Sequence, residues 1–336
     1  MTTPTAQGEQ EATGIRQTAS RLTAADHWDH VLARIGVNRG GHRVEPGLYA
    51  LGQPTAESPV FVTANYTLSF DALRSALEGV DGYILVLDTF GVNVWCAAGK
   101  GTFGSDELVR QIEATGLAKV VSHRRLILPQ LGAAGVAAHQ VRKRTGFRVE
   151  YGPVRASDLP AYLRTGQATP EMRRVRFDLR DRLVLIPVEL VHVLLPLLAA
   201  AVALTLLLGW LAAAAASAAI LAGVVLFPIL LPWLPTPNFS TKGWILGTFA
   251  ALPFAVLAYA RGGPALWLRL AGAGAYLLAL PPVTAYLALN FTGATPLTSR
   301  TGVRREIARY IPRMAMLFGG GLALTIVLAI VKWTGG

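Results

Sequence analysis

The chain has one cysteine in 336 residues. A lone thiol forms no intrachain disulfide, and it holds neither an iron–sulfur cluster nor a thiolate zinc site without partners. Three roles remain for it: a packing thiol, a nucleophile, or one axial ligand to a metal that the chain does not otherwise hold. Charge is the second scarcity. Only 15% of residues are charged and 52% are hydrophobic, too apolar for an ordinary soluble domain. The shortage is uneven: between Leu183 and Ala260 the only formal charges are Glu189 and Lys242. Met1–Gly14 lacks both a basic stretch and an apolar core, which predicts no cleavable signal peptide and a disordered polar tail over residues 1–20. The net charge of +11 does not indicate nucleic acid, because the basic residues cluster beside apolar runs, where membrane topology accounts for them.

Leu183–Leu231 is almost unbroken apolar sequence, more than twice the ~20 residues that one crossing needs. It reads as two helices turning near Gly209-Trp210. Trp244–Ala260, Leu266–Leu289 and Met314–Val331 complete five spans over residues 183–336. Met172–Arg182 and Arg300–Arg313 are both basic, so the positive-inside rule places both in the cytoplasm, with an even number of crossings between them. The N-terminal half is then cytoplasmic, on a multi-pass cytoplasmic membrane protein. Glu189 and His192 share a face of the first span, either as a helix–helix hydrogen-bonding pair or as a functional pair. Gly319-Gly320-Gly321 reads as close helix packing. The Asn-x-Thr tripeptides at Asn65 and Asn290 fall on the cytoplasmic side and are not read as glycosylation sites.

Residues 21–170 read as one α/β domain, joined through a basic linker at 171–182. Thr23–Ile35 is a predicted amphipathic helix, capped by Thr23 and Asp26, with Trp28, Val31, Leu32 and Ile35 at helical spacing. His27 and His30 on it read as a solvated face, with a metal pair as the alternative. Strands are predicted at Val60–Thr63, Tyr83–Leu87, Lys119–Ser122, Arg125–Leu128 and Phe147–Tyr151. Helices are predicted at Ser69–Gly79, Ser105–Thr115, Ala133–Arg144 and Ser157–Leu163. The alternation predicts a small Rossmann-like sheet, whose ligands bind beyond the carboxyl ends of the strands. Three stretches follow strand ends: Asp88–Gly91 leading to the cysteine, Pro129–Gly135, and Gly152–Arg155. Gly132 and Gly135 are expected to open a helix whose free N–H groups meet a ligand. Gly99–Gly104 matches GxGxxG, but it starts too far past its strand for a dinucleotide site, and the lysine is misplaced for a P-loop.

The cysteine lies in Asn93-Val94-Trp95-Cys96-Ala97-Ala98-Gly99-Lys100. Small Ala97, Ala98 and Gly99 leave room for a large planar group beside the sulfur. This octapeptide resembles the signature of the HgcA family, the corrinoid proteins of microbial mercury methylation. Val62–Tyr66, Leu126–Val136, Tyr151–Ala156 and Asn290–Val303 resemble that family too, as does a soluble domain followed by five spans. The domain is also similar to the corrinoid domain of the corrinoid iron–sulfur protein. Phe90 departs from the pattern, which has a more polar residue there.

The resemblance implies an α/β Rossmann-like corrinoid-binding domain followed by an all-α five-helix transmembrane domain. It implies that Asn93–Lys100 caps the lower face of a base-off cobalamin, with Cys96 as cobalt ligand, Trp95 packing the cap and Lys100 near the corrin amides. Thr63, Asn65, Gln130, Leu131, Gly132 and Gly135 join the cofactor-binding set. A soft thiolate opposite a cobalt-bound methyl group pushes electron density toward cobalt and eases transfer of a carbanion equivalent to Hg(II). The implied activity is a corrinoid-dependent methyltransferase forming methylmercury. Methylated folate or its methyltransferase supplies the methyl group, and the dicluster [4Fe-4S] ferredoxin HgcB supplies electrons. The alternative is a corrinoid methyl carrier of one-carbon metabolism, as in the acetyl-CoA pathway, with mercury incidental. A membrane sensor or transport component that only binds a ligand is the reading from another class.

Overall fold

The structure is a computed structural model and describes residues 14–38 and 40–334. The chain divides into two compact units at Arg176/Phe177. The tail expected over residues 1–20 lies largely outside the described residues. Its last part is not tail, because Arg16–Thr18 forms strand β1.

The first unit is a six-stranded sheet in the order β1-β2-β4-β3-β5-β6. The strands are β2 (Gly47–Leu51), β3 (Val60–Ala64), β4 (Gly82–Leu87), β5 (Arg125–Leu128) and β6 (Arg148–Tyr151). β4, β3, β5 and β6 are parallel, whereas β2 runs antiparallel to β4 and parallel to β1. Every residue of β3 and β4 is buried, as expected of strands covered on both faces. Alternation sorts their side chains: Tyr83, Leu85 and Leu87 join one core and Ile84 and Val86 the other. From β3 the chain moves to β4 on one side and then returns to β5 on the other. That reversal creates a crevice outside the strands' carboxyl ends.

Helices α1 (Ala24–Ile35) and α2 (Thr67–Ala76) precede β4. After it come α3 (Val94–Lys100), α4 (Ser105–Ala114), α5 (Leu117–Val120), α6 (Ala138–Thr145) and α7 (Leu159–Thr165). The strand expected at Lys119–Ser122 is replaced by α5, because Leu117 and Val121 are both buried at helical spacing. The helix expected from Ala133 starts at Ala138, after a tight helical turn at Gln130–Ala134.

Thr23 and Asp26 form the expected capping box of α1, but its apolar stripe does not face the core: Trp28 and Val31 are exposed. Polar contacts anchor α1 instead. Asp26 meets Arg74 at 2.9 Å, and Arg74 also meets the buried Asp71 at 2.6 Å. Of the two histidines expected on a solvated face, His27 is exposed, but His30 turns inward, with Nε2 2.7 Å from the buried Asp71. Asp29 meets His42 at 2.7 Å.

Among its described residues the second unit holds five helices long and apolar enough to cross a membrane: α8 (Leu179–Leu208), α9 (Trp210–Leu230), α10 (Phe239–Arg261), α11 (Leu266–Ala294) and α12 (Arg300–Trp333). Gly209 alone joins α8 to α9, at φ 91° and ψ 167°, a conformation open only to glycine. Glycines also set the helix contacts. A Cβ on Gly243 would lie 2.5 Å from Ala288 Cβ, and one on Gly321 would lie 2.7 Å from the Ala279 backbone. Gly319 and Gly320 face open space, so one glycine of the three makes the contact. Within α9, Ala222–Leu226 widens into a π turn. Thr284 donates to the Ala219 carbonyl at 2.8 Å beside that turn.

Polar contacts mark the two ends of this bundle. At one end Arg182 donates to the Pro228 and Ile229 carbonyls at 3.0 Å, and Glu306 reaches the first residues of α10. Lys242 donates to the Leu231 and Leu234 carbonyls there. At the other end Arg261 stacks on Trp210, and Arg269 donates to the Tyr259 carbonyl at 3.1 Å. Glu189 is half-buried and His192 exposed on α8. No cluster of three metal-ligating side chains exists among the described residues.

His42 links this fold to pH. It is buried, and its two ring nitrogens face Asp29 Oδ1 at 2.7 Å and the Val37 carbonyl at 2.6 Å. Burial opposes the charge, but the Val37 carbonyl and Asp29 outweigh it and raise the pKa above the ordinary 6.5. The stabilisation is therefore full below pH 6.5 and is lost as pH rises through the higher folded-state value. Thermal unfolding of the full chain on either side of that window is expected to show the loss, and Asp29→Asn is expected to shrink it.

Candidate functional site

The loops after β3, β4, β5 and β6 lie along one edge of the sheet. Asn65, just past β3, is buried and organises the loop after β4. Its Oδ1 accepts hydrogen bonds from Thr89 N, Thr89 Oγ1 and Gly91 N at 2.9–3.0 Å, and its Nδ2 donates to Asp88 Oδ1 at 3.1 Å. Asn65 is thus a positioning residue. Thr63, also buried, pairs with Val86 inside the sheet. Gln130 accepts from Arg173 at 2.8 Å, and its N–H donates to the Pro153 carbonyl, tying the β5 loop to the β6 loop. Leu131 packs on the core of the α3 side.

The seven-residue α3 carries the cysteine. Asn93 is its N-cap, and Asn93 Oδ1 accepts from Cys96 N at 2.9 Å. Gly101 closes it in the left-handed conformation, at φ 88°. Val94, Ala97 and Ala98 are buried, at the spacing of one helix face. Trp95, Gly99 and Lys100 are exposed and Cys96 is half-buried on the opposite face. Room beside the sulfur therefore comes from Gly99, whose Cβ position has no atom within 4 Å. Ala97 and Ala98 are small for an inward reason: α3 packs closely on the turn at Gln130–Ala134. A Cβ on Gly135 would sit 3.0 Å from Ala98 Cα and 2.1 Å from the Phe103 carbonyl oxygen.

That packing corrects the expectation for Gly132 and Gly135. Their N–H groups donate to Pro129 O and Gly132 O, so neither is offered to a ligand. Both glycines exist for close approach: a Cβ on Gly132 would meet the fully buried Phe103 ring at 2.6 Å. The Gly99–Gly104 run is likewise structural, since Gly101 ends α3, Phe103 fills the core and Gly104 precedes α4. Asp88, Thr89 and Phe103 were not among the expected site residues. Thr89 and Phe103 are fully buried, and the three act by holding the loops.

Phe90 stands out in this loop. Its φ is 58°, a conformation rare for a bulky residue, and its side chain is 65% exposed. Asp88 Oδ1 holds it there by accepting from Phe90 N at 3.0 Å.

The site therefore presents one soft donor on an open helix face at the carboxyl edge of the sheet's parallel strands. The donor set fits a flat metal-bearing group held through one metal–sulfur bond.

Comparison with known proteins bears on this domain. Residues 38–163 match the family model described as CO dehydrogenase/acetyl-CoA synthase delta subunit. The acetyl-CoA decarbonylase/synthase complex subunit gamma of Methanopyrus kandleri is 37% identical over 127 residues, covering 37% of this chain and 27% of that protein. The corrinoid/iron-sulfur protein large subunit of Moorella thermoacetica is 31% identical over 129 residues, covering 38% of this chain and 28% of that protein. The N-terminal domain is related to a domain of these proteins, and the chain spans about a quarter of their length.

Two stability outcomes follow for unfolding of the full chain. Asn93→Ala removes the cap of α3 and is expected to cost about 1 kcal/mol. Phe90→Gly relieves the left-handed strain and is expected to stabilise by about 1 kcal/mol.

Proposed function

We propose that the N-terminal domain is a corrinoid-binding methyl carrier of the acetyl-CoA pathway kind, with Cys96 as the residue that would ligate its metal. The carrying observation is α3, a capped helix that shows a single thiol on an open face at the carboxyl edge of the sheet. The likeness to the corrinoid/iron-sulfur protein large subunit supports the cofactor class. We propose further that α8–α12 anchor the domain in the cytoplasmic membrane, with the domain in the cytoplasm.

When bound, the corrinoid supplies a cobalt centre that carries the methyl group. The chain's own part is to hold and tune it. Cys96 would supply the metal ligand. Trp95, Gly99 and Lys100 form the rest of the open face, and Asn93, Val94, Ala97 and Ala98 fix the turn of the helix. Thr63, Asn65, Gln130, Leu131, Gly132 and Gly135 form the frame beneath. With a single cysteine the chain takes its electrons from a separate protein, a dicluster ferredoxin such as HgcB, and its methyl group from a methylated folate or its methyltransferase.

The relatives favour an acceptor in one-carbon metabolism. Cys96 favours a second reading, in which the acceptor is Hg(II) and the product methylmercury. A thiolate is a strong electron donor, and as ligand to the cobalt Cys96 would favour methyl transfer to a soft electrophile.

The test uses the full chain in detergent, without oxygen, loaded with methylcobalamin. Wild type is expected to bind the corrinoid, with an absorption spectrum that changes in Cys96→Ala. Methylmercury formed from Hg(II) well above free methylcobalamin, and lost in Cys96→Ala, supports the mercury reading. Methyl transfer to a folate or thiol acceptor without methylmercury supports the one-carbon carrier. Failure of wild type to bind corrinoid overturns both.

A further inference from the structure

The five-helix unit contains a feature that methyl transfer does not use. A cavity of about 270 Å³ lies where the start of α10 meets the first turns of α12 and the segment before it. Arg305 and Arg309 line it, one helical turn apart. Among the described residues neither has a carboxylate partner, and Arg309 lies over the Tyr310 ring at 5.7 Å. The one carboxylate in the wall, Glu306, is already committed. It accepts from Phe239 N at 3.2 Å and from Ser240 N and Oγ at 3.0 Å, which satisfies the N-terminus of α10.

The remaining polar wall is rich in donors. Asn238 Nδ2 donates to the Tyr310 hydroxyl at 3.1 Å, which leaves that hydroxyl's own hydrogen to be given elsewhere. Ser299 Oγ accepts from Gly302 N at 3.1 Å and keeps its hydrogen in the same way. Two guanidinium groups and two hydroxyl hydrogens against one spent carboxylate describe a site for an anion with several acceptor oxygens.

The apolar part of the wall narrows the choice of anion. Phe239, Leu297 and Val303 line the cavity, and Leu297 is 63% exposed. The cavity also lies at the arginine-rich end of the bundle, where α12 carries Arg300, Arg304, Arg305, Arg309 and Arg313 within its first turns. A basic end flanked by apolar helices is where anionic lipid headgroups gather.

We propose that this cavity holds the phosphate of an anionic phospholipid headgroup, with Arg305, Arg309 and Tyr310 on the phosphate oxygens and Leu297 and Val303 beside the glycerol. The site fixes the start of α10 against α12 at the membrane surface. It is independent of the corrinoid reading.

The test is native mass spectrometry of the full chain in detergent, offered phosphatidylglycerol and phosphatidylcholine in equal amounts. Wild type is expected to retain phosphatidylglycerol selectively. Arg305→Gln with Arg309→Gln is expected to lose that selectivity by about tenfold or more. Arg300→Gln with Arg304→Gln removes the same charge outside the cavity and is expected to retain it. Tyr310→Phe, which keeps the ring and all charges, is expected to weaken retention. Equal loss in both arginine pairs means a diffuse basic surface and overturns the site, as does no selectivity in wild type. Displacement of the lipid by inorganic phosphate means a site for free phosphate and overturns the lipid as occupant.

Discussion

The candidate site depends on one close approach, that of α3 to the turn at Gln130–Ala134 and to Gly135 just beyond it. Two backbones meet there with no side chain between them. The space for a methyl group on Gly135 is already taken by the Phe103 carbonyl and the Ala98 backbone. Because Ala97 and Ala98 face inward, α3 has one rotation in which Val94, Ala97 and Ala98 are all buried. In that rotation Cys96 stands outward with Gly99. The position of the thiol is therefore decided on the far side of its own helix.

A second layer sets where α3 begins. Asn65 spends its whole side chain on the β4 loop, so the end of one central strand dictates the path leaving the next. Parallel strands leave their loops at the same edge. The loops carrying Asn65, Cys96 and Gln130 are thus neighbours although far apart in the chain. This is the ordinary logic of α/β sheets, applied to a site with one reactive atom.

Much of this was legible in the sequence. The apolar strands expected at 60–63 and 83–87 and the five long apolar runs are continuous stretches, and continuity is a local signal. The octapeptide marked the thiol through its resemblance to a family signature, which is also local. What stayed hidden depends on contacts distant in the chain. Gly47–Leu51 is buried on both faces because Leu48 and Ala50 join one core and Tyr49 and Leu51 the other, and nothing local marks Arg16–Thr18 as its edge partner. The stripe on α1 pointed to apolar packing, yet Asp26, Asp29 and His30 dock the helix instead. Gly132 and Gly135 looked like donors to a ligand. They are sites of close contact, a distinction that only the opposing Phe103 and Ala98 reveal.

The length of α3 has its own consequence. At seven residues it falls well short of the ~12–15 that an isolated helix needs to persist in water. Its order is borrowed from the Asn93 cap, the Gly101 turn and the contact at Gly135. Val94, Ala97 and Ala98 lie in the same core as residues of β3 and β4, so the helix is ordered by the domain rather than by itself. The thiol has no foothold of its own: its place stands or falls with the packing of the core beneath its helix.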